Sequence, residues 1–315
     1  MKLASSTGDF KFYVPNIYEA VKCFKGTGFK HINLEQTGVI PEFFADDDSY
    51  KKLAELWGNA AEEANVKYVV SHAPCLHEPV MAALLDRENE IYQKNLRAIC
   101  RSIEICHILG IKRIVVHACA SMQISENDFL QYNRMFYRDL LPIAEKYGIM
   151  LMTENWDNAA YHFSTAEKMR AFIDEFDHPL LAACWDTAHG NIDATARNIG
   201  QYENIIALGD KLKGLHISDN LGDCHHHSWP FSGAISFDAI MQGLLDVNYD
   251  GFFTFEASYT LLHHSNPPYG KKPWVHNGKE QRLLLDPSLD LKKKAVELLY
   301  ETGKYILSTY NCLEE

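Results

Sequence analysis

Two hydrophobic periods take turns along this chain. Eight short apolar runs, "KLASST", "KHINLE", "KYVVSH", "RIVVHA", "IMLMTE", "LLAACWD", "LKGLHIS" and "GFFTFEA", read as strands. Between them lie longer stretches with apolar residues at helical spacing, such as "RENEIYQKNLRAICRSIEICHILG", which Gly110 brings to a stop. "HILGIKRI" and "EKYGIM" repeat one device, in which a helix ends, glycine turns the chain and an apolar strand begins. Strands alternating with helices predict parallel βαβ units, and eight of them close into a (β/α)8 TIM barrel, one domain over residues 1–315. An open doubly wound sheet is the weaker alternative, since no Gly-x-Gly-x-x-Gly turn follows the first strand. Residues 259–288 carry prolines, glycines and aromatics and predict an extended loop after strand eight, placed as a lid or partner loop.

In such a barrel the C-terminal strand ends converge on one mouth. Read in order, the predicted ends deliver Glu35, His72, His117, Glu154, Asp186 with His189, His216 and Glu256; only the first strand ends without such a group. His225, His226 and His227 follow strand seven. Taken singly, a histidine beside an apolar strand reads as a hydrogen-bonded core group, and a glutamate as a cap. Crowded at one rim, these groups raise each other's ionisation cost unless a cation neutralises them. A metal centre is therefore expected. Mixed carboxylate and imidazole donors suit Mn, Zn, Co or Fe(II), with Mg if carboxylates dominate. Around it, Glu35 is a candidate for binding substrate hydroxyls, and Trp156 for an apolar pocket wall. Asp219 is expected to orient His216, with beginning the loop turn as the alternative. His226 should face away from its neighbours, because alternate residues of an extended run face opposite sides. "DLKKKAVE" reads as a solvated helix start.

Composition narrows the partners. A hydrophobic content of 47% supports one large core, and a formal net charge of −12 gives no general attraction to phosphate backbones or anionic lipid. No run approaches the roughly 18 apolar residues of a membrane span, and "MKLASSTGDFKF" has no signal-peptide core. Eight cysteines without a Cys-x-x-Cys pair fit the reducing cytoplasm.

The ordered set "SHAP", "VVHA", "TEN", "WDTAHGN", "LHISDN" and "FTFEAS" resembles the xylose isomerase-like barrel superfamily over nearly the whole chain. That group holds sugar and sugar phosphate isomerases and epimerases, inosose-type dehydratases and the endonuclease IV branch. The resemblance implies one divalent ion on Glu154, Asp186, His216 and Glu256, with Glu154 and Glu256 also the catalytic pair. It makes His189 a contact to a substrate oxygen, and His72, His117, His225 and His227 further substrate contacts. The implied reaction is isomerisation or epimerisation of a sugar, sugar phosphate or polyol. A proton beside a carbonyl is removed through an enediolate that the ion stabilises. An inosose dehydratase or C-glycoside lyase would begin with the same step. Family barrels often pair, which implies a homo-oligomer.

The nuclease branch uses three zinc ions. His72, His117 and Glu154 resemble its first site, and His189 and His227 resemble ligands of its third, so additional ions at His72/His117 and His189/His227 are implied. His227 precedes Gly233 at the nuclease spacing, but His225 stands where the nuclease has an aspartate. Cys75 and Leu76 replace the tyrosine and leucine that probe the duplex, and no Arg/Lys-rich strip accompanies the early loops. The sugar reading therefore ranks above the nuclease. A non-catalytic subunit ranks lower still, since degenerate members lose ligands first and all four positions are filled.

Overall fold

All eight apolar runs become strands in the computed structural model, which describes residues 1–38, 40–74, 86–119, 124–157, 162–197, 199–261, 274–281 and 285–314 (for 193–197 and 274 the backbone alone). They are β1 (Lys2–Ser6), β2 (His31–Glu35), β3 (Lys67–His72), β4 (Arg113–Val115), β5 (Met150–Glu154), β6 (Leu181–Asp186), β7 (Leu212–His216) and β8 (Phe252–Thr254). They form one parallel sheet in chain order, with β1 paired to both β2 and β8. A bridge between Ile217 and Phe255 brings β7 against β8 and closes the cylinder. The fold is a (β/α)8 barrel.

Helices fill the crossovers: α1 (Ile17–Lys22), α2 (Glu42–Ala45), α3 (Ser49–Ala64), α4 (Glu90–Ile108), α5 (Glu126–Tyr147), α6 (Ala166–Phe176), α7 (Thr187–Arg197), α8 (Gln201–Leu208), α9 (Phe237–Asp246) and α10 (Leu289–Thr309). Their starts are set locally. Asn16, Asn89, Ser125, Thr165, Ser236 and Ser288 each accept a hydrogen bond from a first-turn backbone N–H. Gly110 and Gly148 take φ of 73° and 64° where α4 and α5 hand over to strands, a left-handed turn that glycine adopts without a Cβ clash.

Strand alternation divides the apolar side chains between two cores. Ile32, Leu34, Ile114, Leu151, Trp185, Leu215 and Phe253 belong to the large core that also takes in helix residues. Val70, Val115, Met152, Ala182 and Cys184 form a second, smaller cluster. A Cβ on Gly214 would lie 2.8 Å from Met152 Sδ and 3.2 Å from Cys184 Sγ, so glycine makes room for both in that cluster. The strands thus enter the mouth from a packed apolar interior.

Three expectations change. Residues 259–288 are not loop throughout: Trp274–His276 and Lys279–Gln281 form an antiparallel hairpin, β9 and β10. Its turn uses Asn277 and Gly278 at φ of 50° and 70°, a tight-turn signal hidden between prolines and charges. Residues 262–273 and 282–284 of that stretch lie outside the described residues, as do Cys75 and Leu76. The start of α10 is not wholly solvated either, because Lys292 is buried and donates from Nζ to Thr260 O at 2.8 Å. Finally, β1 does lead to an acid: Asp9, in the 3-10 turn after it, is fully buried and accepts from Ser5 Oγ. The seven described cysteines are free, and no described helix is long and apolar enough to cross a membrane.

Candidate metal centre

Glu154, Asp186 and His216 are the last residues of β5, β6 and β7, and Glu256 lies two residues past β8. One donor atom from each lies within 4.8 Å of the others. His216 Nδ1 sits 3.0 Å from Glu154 Oε1 and 3.0 Å from Glu256 Oε2. Asp186 divides its work between two oxygens. Oδ1 accepts the His189 backbone N–H at 2.7 Å and caps α7, whereas Oδ2 is buried with no hydrogen-bond partner. That division explains an acid at the end of a buried strand with an imidazole three residues later. Asn155 holds the arrangement, donating from Nδ2 to Asp186 O at 3.0 Å and accepting Asp186 N–H at 2.7 Å.

Further donors surround this set. The Nε2 atoms of His72 and His117 lie 3.4 and 3.3 Å from Glu154 Oε2. His72 Nδ1 is 2.9 Å from Ala73 O, and a carbonyl oxygen only accepts, so Nδ1 carries the proton and a neutral His72 turns an Nε2 lone pair toward the carboxylate. A second cluster repeats the logic. His189 Nδ1 donates to Asn155 O at 2.9 Å and His227 Nδ1 to Glu256 O at 3.0 Å. In the neutral rings both Nε2 atoms are then lone pairs, and both face His225 Nε2, that of His189 at 2.8 Å. One proton on His225 cannot satisfy two acceptors. A cation among the three nitrogens can.

Charge tells the same story. Burial raises the Glu154 carboxyl, but His216 and His117 outweigh it and hold it well below the ordinary carboxylate range. Burial pushes Asp186 up to about 7 against the pull of His189. Burial works against a charged His216, yet Cys184, Glu154 and Glu256 together keep it well above the usual imidazole value. Burial also lowers His189, less than Asp186 and Glu154 raise it. Burial takes His225 down to about 3 with help from His189, and His227 well below its ordinary value with help from His225. Positive charge is favoured between the carboxylates, and His225 and His227 are kept neutral, the ligand form.

The rim completes a pocket of about 150 Å³ over these atoms. Glu35, the last residue of β2, accepts from Ser6 Oγ and Thr37 Oγ1 at 2.8 Å each and from Lys11 Nζ at 3.3 Å. A Cβ on Gly8 would lie 1.8 Å from Glu35 Oε2, so glycine there makes space for the carboxylate. Trp156 packs its ring 4.3 Å from that of His117 and donates from Nε1 to Ala118 O at 3.2 Å, which makes it part of the wall. His226 Nδ1 lies 3.4 Å from Cys224 Sγ, away from the ring cluster formed by its two neighbours. Asp219 does not orient His216. It accepts Gly233 N–H at 2.9 Å and Ile235 N–H at 3.1 Å, tying together the loop that carries His225 and His227. Asp219→Ala should cost about 1–3 kcal/mol, because two backbone donors lose their acceptor. Thermal unfolding of the variant checks this, and an unchanged midpoint would contradict it.

Two residues of the site escaped the strand-end reading. Lys11 follows a buried 3-10 turn, and Asn155 acts through a backbone clamp. "TEN" contained the Asn155 signal; nothing marked Lys11.

A family model for the xylose isomerase-like TIM barrel matches residues 24–274. The chain belongs to that family. Among curated relatives, a probable endonuclease 4 of Thermotoga maritima is 24% identical over 156 residues, 46% of this chain. The match spans 53% of that relative's length, about half. Among solved structures, a D-tagatose 3-epimerase-like protein superposes with a TM-score of 0.68 at 18% identity, covering 98% of this chain and 100% of the other. An IOLI protein with a bound zinc atom gives 0.70 at 19% identity, covering 98% and 99%. At these identities the structures speak for the fold. The donor chemistry on the family barrel stands on its own geometry: hard oxygens and imidazole nitrogens converge, Glu154 Oε2 and Asp186 Oδ2 are buried without a hydrogen-bond partner, and the lone pairs of two tethered rings meet a third.

Proposed function

We propose that this chain is a divalent-metal-dependent isomerase or epimerase of a sugar or polyol. The observation that carries the reading is the convergence of Glu154, Asp186, His216 and Glu256 beneath a small polar pocket. A divalent ion held there supplies Lewis-acid polarisation of a carbonyl and its neighbouring hydroxyl. The protein's own residues do the rest. Glu256, two residues past β8 and facing the pocket, takes the proton from the carbon beside the carbonyl. In epimerisation Glu154, on the strand end across the mouth, relays a proton from a solvent water to that carbon, and Glu256 afterwards gives its proton back to solvent. His189 is held by Asn155 O and offers its ring to a substrate oxygen. Glu35 and Lys11 bind hydroxyls at the rim, and Trp156 closes the wall. The printed names of the solved neighbours, an epimerase-like protein among them, agree with this chemistry. The same first step serves a lyase when a leaving group sits on the next carbon.

A second reading has one specific observation in its favour. His72 and His117 converge on Glu154, and His189, His225 and His227 converge on each other, which gives donors for ions beyond the first. Such a multi-ion site suits phosphodiester hydrolysis, and the net charge of −12 argues against a nucleic acid substrate.

One experiment separates them. Metal-loaded protein is incubated in deuterated water with ketohexoses and inososes, and separately with an abasic DNA duplex. Deuterium appearing on one carbon of a sugar, with the duplex intact, is expected. Strand cleavage without exchange into any sugar would overturn the ranking.

A further inference from the structure

The metal-side pocket has a larger neighbour. A cavity of about 600 Å³ opens between α1, α2 and α3 and the loops after β1 and β2, and both cavities are lined by Lys11, Glu35 and Thr37. Those three side chains therefore form a polar waist between two adjacent spaces. Their chemistry differs. The smaller one is walled by imidazoles and carboxylates; the larger one, beyond the waist, by Val14, Ile17, Tyr18, Ile40, Leu53 and Trp57. The volumes differ in meaning too: about 150 Å³ admits a sugar-sized head, whereas about 600 Å³ falls in the range of roughly 300–1,000 Å³ that accommodates a drug-sized apolar ligand.

We infer that the substrate is a glycoside with one ring hydroxyl oxidised to a ketone, whose sugar lies over the metal ligands and whose aromatic or alicyclic aglycone fills the cavity lined by Ile17, Leu53 and Trp57; simple glucosides are then unreactive binding analogues of it. The inference rests on the sugar reading above and specifies its substrate class. A free monosaccharide would leave the larger cavity to water, against a wall of aliphatic and aromatic side chains. A ring-bearing tail is favoured over a plain chain because Tyr18 and Trp57 contribute to the wall. The waist fits the join. Glu35 is fixed by Ser6 and Thr37, so Lys11 Nζ, which spends one N–H on Glu35, keeps donors for the sugar oxygens beside the glycosidic link.

The test is equilibrium binding by calorimetry to the full chain loaded with Mn²⁺. Its probes are methyl β-D-glucopyranoside, 4-nitrophenyl β-D-glucopyranoside and D-fructose. The aryl glucoside should bind at least about tenfold more tightly than the methyl glucoside. In Ile17→Trp and Leu53→Trp, which crowd the cavity from α1 and from α3, that ratio should fall to near one. D-Fructose bound by wild type, with an aryl-to-methyl ratio near one or no glucoside bound, overturns the tail and leaves the sugar reading standing. A tenfold preference that survives in both folded variants also overturns it, since the tail then lies elsewhere. No binding of any of the three sugars overturns both.

Discussion

Glu154→Gln should empty the metal centre and lower proton exchange into the substrate by at least about a thousandfold. The variant keeps the shape of the side chain and removes its charge. Glu154 is the shared neighbour of the mouth: Oε1 lies 3.0 Å from His216 Nδ1, and Oε2 lies 3.4 and 3.3 Å from the Nε2 atoms of His72 and His117. A neutral amide there withdraws the anion around which three imidazoles are arranged, and it presents an N–H where a ligand oxygen belongs. Glu256→Gln is the informative partner. Its carboxylate is the most accessible of the four, so three ligands beneath it remain to retain part of the ion while exchange is lost. Metal content by elemental analysis, measured beside deuterium incorporation by NMR, checks both variants. Wild-type metal and wild-type exchange in Glu154→Gln would contradict the assignment.

Chelation should cost the fold several kilocalories as well as the activity. Three carboxylates and a histidine with donor atoms within 4.8 Å of one another are held together at a desolvated strand rim, and burial has already lifted Asp186 to about 7. An ion that binds only the folded chain stabilises it by mass action, about 4 kcal/mol when free metal stands near a thousand times its dissociation constant. Treatment with a strong chelator should therefore lower the unfolding midpoint, and excess Mn²⁺ or Zn²⁺ should restore it. The Asp186→Asn protein should start low and respond little to either. A midpoint indifferent to chelator and metal in the wild type would contradict the account.

Most of the architecture was legible because strand and helix patterns alternate along the chain outside residues 259–288, and because glycines such as Gly110 and Gly148 stand where helices give way to strands. The chemical rim was legible for a related reason. A strand buried on both faces has no physical motive to end in Glu154, Asp186 or His216 unless something at its end needs them. What escaped notice acts across the chain rather than along it. Lys11 comes to the mouth just past a 3-10 turn that has no period, and Asn155 works by clamping the backbone of the neighbouring strand. Lys292 looked solvated within a run of three lysines, yet the N-terminal turn of α10 aims it at Thr260 O. Asp219 lay close to His216 in sequence and was expected to steer it, but the amides of Gly233 and Ile235 offered nearer donors. The apolar cavity beside the rim left no trace in the pattern, since its walls come from three helices and two loops whose residues look like ordinary core.

The most direct measurement is anomalous diffraction from crystals of the chain grown with Mn²⁺. An anomalous peak is expected within about 2.0–2.3 Å of ligand atoms from Glu154, Asp186, His216 and Glu256 together. A crystal saturated with metal that shows no peak among those four side chains, or that draws them too far apart to share one, would contradict it.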